Sequence, residues 1–173
     1  MTCEEVNIKY PHLAGVAMHQ HINGGGWVAD SSTVPDSSYV APTAIVGCHV
    51  TLGEYVMLGN GVRLGDYVRL GNGVRLGNDV RLGNDVMLGD RATVFEVNNG
   101  YSYKASAYYD EGSKRHIVQL GCYARSVEEW DADFWNNPRQ FPDDGSEKSN
   151  ARLRTYKALR AAIVAAYPMT NNE

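Results

Sequence analysis

An aliphatic residue returns at every sixth position from Val28 to Val94, with Val28, Val34, Val40 and Val46 followed by Leu52, Leu58, Leu64, Leu70, Leu76, Leu82 and Leu88. Two residues ahead of most of these stands a second small or β-branched side chain, from Ser32, Ser38 and Ala44 through Val50, Val56, Val62, Val68, Val74, Val80 and Val86 to Ala92. A period of six excludes a helix. Helical burial needs apolar spacings of three and four, and each glycine of the repeat would weaken a helix by about 1 kcal/mol. On a strand, residues two apart share a side and the one between points away. In Val80-Arg81-Leu82 the two aliphatics therefore face inward and Arg81 outward. The Gly83-Asn84-Asp85 that follows is turn chemistry, because glycine accepts left-handed dihedrals and Asn or Asp tolerates them better than most residues. Each hexad is thus a short strand and a corner. Three corners close a triangle of about 18 residues, so the repeat predicts about four stacked coils of a parallel β-helix with strands roughly 4.8 Å apart.

The run VGCHVTLGEYVMLGNGVRLGDYVRLGNGVRLGNDVRLGNDVMLGD resembles the hexapeptide-repeat, left-handed β-helix superfamily, which includes acyltransferases and γ-class carbonic anhydrases and usually forms trimers. The left-handed sense is implied by that resemblance, since periodicity does not set it. A narrower resemblance rests on HINGGGWVADSSTV ahead of the coils and LGCYARSVEEWDADFW behind them. These segments are similar to a set of bacterial and phage hexapeptide-repeat proteins with a C-terminal hairpin-helix cap, and that likeness implies no particular activity.

The expected fold class is an all-β core, a left-handed parallel β-helix of about four coils, with a C-terminal β-hairpin and two α-helices. The expected boundaries are a lead-in over 1–27, the β-helix over 28–97, the hairpin over 98–125 and the helices over 126–173. The glycine triplet Gly24-Gly25-Gly26 reads as a flexible turn at the mouth of the first coil. Alternation in Tyr101-Tyr103-Ala105-Ala107 and Ile117-Gln119 reads as the hairpin. Ser126-Val127-Glu128-Glu129 is a capping box opening a short helix with Trp130, Phe134 and Trp135, ended by Pro138. A longer helix spans about 149–167, with Leu153, Tyr156, Leu159 and Ile163 on one side and Arg152, Arg154, Lys157 and Arg160 elsewhere. A solenoid needs caps at its open ends, and this aromatic tail suits that task.

A chain of 173 residues with a formal charge of −4 lacks the basic stripe of a nucleic-acid binder, so no nucleic acid polymer is expected as a partner. No apolar stretch approaches a membrane span, and the start MTCEEV lacks the regions of a signal peptide. A soluble, cytoplasmic protein follows, in the host cytoplasm if it is phage-encoded. The three cysteines, Cys3, Cys48 and Cys122, have unrelated spacings that suit a reducing compartment and make no metal pattern. No cofactor motif is present.

Outward residues stack at intervals of one coil. One face reads Ile45, Arg63, Arg81; the second Thr33, Thr51, Arg69, Met87; the third Tyr39, Met57, Arg75, Thr93. Arg63 beside Arg81 is unfavourable unless something negative lies against them. Either acids such as Glu54, Asp66, Asp79 and Asp85 answer them, or the guanidinium forks make an anion site. The tail adds Tyr103, Tyr108, Arg115 and His116, aromatic rings beside cations that suit a nucleobase and its phosphates, or that cover the last coil. The ligand-binding candidates are therefore Arg63, Arg75, Arg81, Arg91, Tyr103, Tyr108, Arg115 and His116, and the partner they imply is a small, nucleotide-like anion held between subunits without turnover. Self-association as a homotrimer would bury the apolar Ile45 and Tyr39-Met57 columns.

Two further classes stay open: a CoA-dependent acyltransferase and a structural or assembly module. In the first, His49 would act as general base in the way the family resemblance implies. Its corner column continues with Tyr67 and Asp85. The acyltransferase resemblance also leads one to expect a loop interrupting the coils, and none is present. Carbonic anhydrase chemistry needs three histidines from neighbouring coils, where only His49 lies; His12, His19, His21 and His116 fall outside. His19 and His21 read as a surface pair, and Cys122 as a small buried residue at the cap junction.

Overall fold

Two-residue strands joined by four-residue corners run through the first of two units, Met1–Ala92 and Thr93–Glu173, into which the chain divides. A computed structural model describes residues 13–96, 103–135, 139 and 142–169. Cys3, His12, Tyr101 and Pro138 lie outside the described residues.

In the first unit one face stacks β2 (Trp27–Ala29), β4 (Ile45–Val46), β7 (Arg63–Leu64) and β10 (Arg81–Leu82) in parallel, with β1 (Met18–Gln20) antiparallel at the β2 edge. A second face holds β5 (Thr51–Leu52), β8 (Arg69–Leu70) and β11 (Met87–Leu88), extended by a bridge from Thr33 to Thr51. The third holds β3 (Tyr39–Val40), β6 (Met57–Leu58) and β9 (Arg75–Leu76). The repeat builds a parallel β-solenoid of about three turns, fewer than the four expected. The last hexad, from Thr93, belongs to the second unit, and Val34 in the first coil is only half-buried.

The seven repeat leucines from Leu52 to Leu88 are at most 3% exposed. Removing each such side chain from water contributes roughly 1.5–3 kcal/mol. Corners repeat a second device: an Asn or Asp side chain in one coil accepts the backbone N–H of the coil before it. Asn72 Oδ1 accepts from Glu54 N at 2.8 Å, Asp66 Oδ1 from Cys48 N at 2.8 Å and Asn78 Oδ1 from Asn60 N at 2.8 Å. The glycine before each such pair leaves space for the reach; a Cβ on Gly53 would stand 2.7 Å from Asn72 Oδ1. In the first coil serines do this work in the opposite sense, with Ser32 Oγ accepting from Val50 N at 2.8 Å and Ser38 Oγ from Val56 N at 3.0 Å. These two positions hold serine where later coils hold valine because the hydroxyl bonds the neighbouring coil.

The lead-in departs from expectation. His21 N donates to Gly26 O at 2.8 Å, and Gly25 N to His21 O at 3.0 Å, closing a β1–β2 hairpin. A Cβ on Gly26 would stand 2.4 Å from Ala41 O, so the glycine triplet is a close backbone approach rather than a loose turn. Leu13, Val16 and Met18 pack on Trp27 and Ile45. Ile45 is therefore 3% exposed and offers no apolar patch to another subunit.

The second unit is an antiparallel sheet in the order β12 (Phe95–Glu96), β13 (Ala105–Asp110), β14 (Arg115–Leu120), β15 (Tyr123–Ser126), with helices α1 (Val127–Ala132) and α2 (Glu147–Ala166). The expected hairpin is β13–β14, and the two outer strands widen it to four. The capping box forms as expected: Glu129 N donates to Ser126 Oγ at 3.2 Å and Ser126 N to Glu129 Oε2 at 2.8 Å. The Ser126 amide holds the Glu129 carboxyl below its usual range against the opposing effect of burial, with a smaller contribution from the cation of Arg115. Trp130, Tyr156, Leu159 and Ile163 meet Val118 and Leu120 in the core, and Trp130 Nε1 donates to Val118 O at 2.8 Å.

Candidate functional site

The outward columns of the solenoid form as the repeat predicts. Arg81 pairs in register with Arg63, Arg63 with Ile45, and Arg75 with Met57. These arginines do not gather: Arg63 and Arg81 share one face and Arg75 lies on another, while Arg91 occupies a corner in the left-handed region at φ 54°. Of the acids named against them, Asp66 is engaged by the Cys48 amide. His49 also sits in a corner at φ 56°, exposed, its ring stacked on Tyr67 at 4.9 Å between centroids. Among the described residues no side chain orients its imidazole by a hydrogen bond, which leaves it without the partner that a general base uses.

In the second unit the tail candidates separate. Tyr108 is 2% exposed, and burial followed by the Asp110 charge pushes its phenol well above the usual range. His116 is 6% exposed, with Nε2 2.6 Å from Tyr167 O. Both pack the sheet instead of meeting a surface ligand, because β13 is buried on both sides from Ala105 to Tyr108 and the inward residues of β14 are His116, Val118 and Leu120. Arg115 is exposed and lies 3.6 Å from Glu129. Tyr103 lines a cavity. His19 and His21 also part company, His19 Nδ1 lying 2.7 Å from Asp30 Oδ1 and His21 being 4% exposed.

That cavity, about 550 Å³, opens between the β14–β15 turn and the start of α2. Its size falls within the range of small-molecule sites. Arg139, Lys148 and Arg152 line it, with Asp144 as the single acid among the described lining residues. Arg152 is 3% exposed, and among the described residues no other Arg, Lys, Asp or Glu is buried. Its guanidinium carbon stands 5.6 Å from the Phe134 ring centre and 5.9 Å from that of Trp130, within cation–π reach. Lys148 Nζ stands 5.6 Å over the ring of Tyr103, which is 55% exposed. The wall is completed by the turn carrying Cys122, an exposed free thiol and not the buried residue expected.

The entry of α2 shapes the polar side of the cavity. Ser146 is the N-cap, its Oγ accepting from Ser149 N at 3.2 Å. Asp144 Oδ1 accepts from Ser146 N at 3.0 Å and lies 2.7 Å from Ser149 Oγ. Hydrogen bonds from the side chains of Ser146 and Ser149, and from the Ser146 amide, hold the Asp144 carboxyl down at about 2. It is an anion at any ordinary pH. Arg152 escaped notice in the sequence because its position reads as the polar side of an amphipathic helix. The signal for it is the aromatic cluster Trp130 and Phe134, which the topology brings beneath it.

The described residues contain no group of three or more His, Cys, Asp or Glu placed to hold a metal, and no helix is long and apolar enough to cross a membrane. A family model, bacterial transferase hexapeptide (six repeats), matches residues 43–78. No curated protein and no solved structure matches the chain. Strand order, coil-to-coil register and that match agree, and the coiled segment is a hexapeptide-repeat β-helix, of a superfamily that includes transferases and structural members.

Proposed function

We propose that the protein is a non-catalytic binder of a small, nucleotide-like anion, assembled as a homotrimer through its solenoid. The supporting observation is the cavity of the second unit, where three cationic side chains and an exposed tyrosine meet one carboxylate. A guanidinium held by rings is a preorganised anion partner, and a tyrosine face accepts a base by stacking. On this reading the ligand lies within the second unit, not in clefts lined by Arg63 and Arg81.

Equilibrium binding of nucleoside 5′-monophosphates, with native mass spectrometry of freshly purified protein, tests the reading. Lys148→Ala and Arg139→Ala each weaken binding by about tenfold, the effect of losing one charge-assisted hydrogen bond. Arg63→Ala and Arg81→Ala leave it unchanged. Undiminished affinity in the cavity variants, or conversion of the ligand, overturns it. The family match favours a second reading, a CoA-dependent acyltransferase with His49 as base. Product formation from acetyl-CoA that His49→Ala abolishes would establish that reading instead.

A further inference from the structure

Asn-Gly occurs four times in the chain, at Asn23-Gly24, Asn60-Gly61, Asn72-Gly73 and Asn99-Gly100, the last lying outside the described residues. The pair is chemically labile because glycine carries no side chain to shield its amide nitrogen, which can attack the carboxamide of the residue before it. Attack needs a glycine N–H that is not held elsewhere and an asparagine side chain able to turn toward it. The fold decides both conditions site by site.

In the corners neither condition is met. Gly61 N donates to Thr43 Oγ1 at 2.9 Å, and Gly73 N to Glu54 O at 2.8 Å. The asparagine side chains are held as well: Asn60 Oδ1 accepts from the Thr43 hydroxyl at 3.1 Å, and Asn72 Oδ1 from Glu54 N at 2.8 Å. The β1–β2 hairpin differs. Glycine is required at position 24, where φ is 110° and a Cβ would meet Val40 O and the ring of Tyr39. Among the described residues the Gly24 N–H makes no hydrogen bond. Asn23 is exposed, and among the described residues its carboxamide makes one long bond, from Nδ2 to Asp36 O at 3.4 Å.

We propose that Asn23 is a site of spontaneous modification, its side chain converted to aspartate and isoaspartate, while Asn60 and Asn72 are protected by their corner bonds. The Gly24 amide gives up its proton, its nitrogen bonds to Asn23 Cγ, and the carboxamide nitrogen leaves with that proton as ammonia. Water then opens the resulting succinimide at either carbonyl, so solvent is the sole co-reactant. The change places a carboxylate on the hairpin. In the isoaspartyl form it also routes the main chain through the Asn23 side-chain carbons, next to the bond that Val40 N donates to Asn23 O at 3.0 Å.

Incubation of the full chain at mildly alkaline pH, native and in denaturant, followed by peptide mapping with mass spectrometry, compares the three sites within one molecule. Each site's native rate is divided by its own rate in denaturant, which removes the effect of neighbouring residues. That ratio is expected to be larger at Asn23 than at Asn60 or Asn72 by about tenfold or more, the rate equivalent of breaking one hydrogen bond before attack. Thr43→Ala releases both the Gly61 amide and the Asn60 carboxamide, and is expected to raise the Asn60 ratio toward that of Asn23 while leaving Asn72 unchanged. Ratios that fail to separate Asn23 from the other two overturn the inference, as does an Asn60 ratio unmoved in a folded Thr43→Ala variant. Should Thr43→Ala fail to fold, the ranking of the three sites in the native protein decides the matter alone.

Discussion

At the scale of single residues, the corners show how far the repeat tolerates unsuitable side chains. Every sixth residue from His49 to Arg91 adopts a positive φ: His49, Tyr55, Gly61, Tyr67, Gly73, Asp79, Asp85 and Arg91. Glycine takes this conformation freely, whereas a Cβ residue is strained by about 1–2 kcal/mol. Tyr55 bears that strain while 71% exposed, so its packing offsets little of it. Tyr55→Gly is therefore expected to raise the unfolding free energy by about 1 kcal/mol in a denaturant titration. Gly61→Ala, at φ 70° and with its new Cβ 2.3 Å from Asp79 Oδ1, is expected to lower it. A Tyr55→Gly variant less stable than the native protein would mean that the ring holds a contact worth more than the strain. The alternation of hidden and displayed residues was legible because a strand period of two leaves no other choice. The hydroxyl bonds of Ser32 and Ser38 were not, since a small residue in an inward column reads equally well as packing.

At the scale of elements, α2 illustrates a different limit. Its length and apolar stripe were readable from periodicity, and Tyr156, Leu159 and Ile163 are buried as expected. Its start was placed two residues late, because Ser146, Ser149 and Asp144 all have capping chemistry and only the folded loop decides which takes the cap. The bonds on Asp144 predict a pH signature. A carboxyl lowered in the folded state stabilises fully above its unfolded range near 4 and loses that contribution as pH falls toward about 2. Amide exchange over residues 146–149 is expected to quicken between those values in the native protein. Asp144→Asn is expected to show no such step, and an identical step in that variant would refute the assignment.

At the scale of the whole molecule, self-association now rests on one column where two were expected. Leu13 and Trp27 cover Ile45, whereas Tyr39 and Met57, paired on the third face, remain 38% and 44% exposed. Adjacent exposed apolar residues on a rigid sheet are the material of an interface. A native mass three times that of the monomer is expected, and Met57→Glu is expected to shift it toward the monomer by placing a charge in the buried face. A native protein that is monomeric at micromolar concentration would refute the trimer.

The amino-acid order by itself determined the solenoid, its three outward columns, the capping box of α1 and the apolar stripe of α2, since each is a short-range consequence of strand or helix period. Tertiary structure alone decided what became of Ile45, Tyr108, His116 and Arg152. Whether such a side chain is hidden or offered to a ligand depends on which distant segment packs over it: Leu13 over Ile45, Tyr167 against His116, the Trp130 and Phe134 rings against Arg152. Those contacts join residues with no common period, so no local pattern records them.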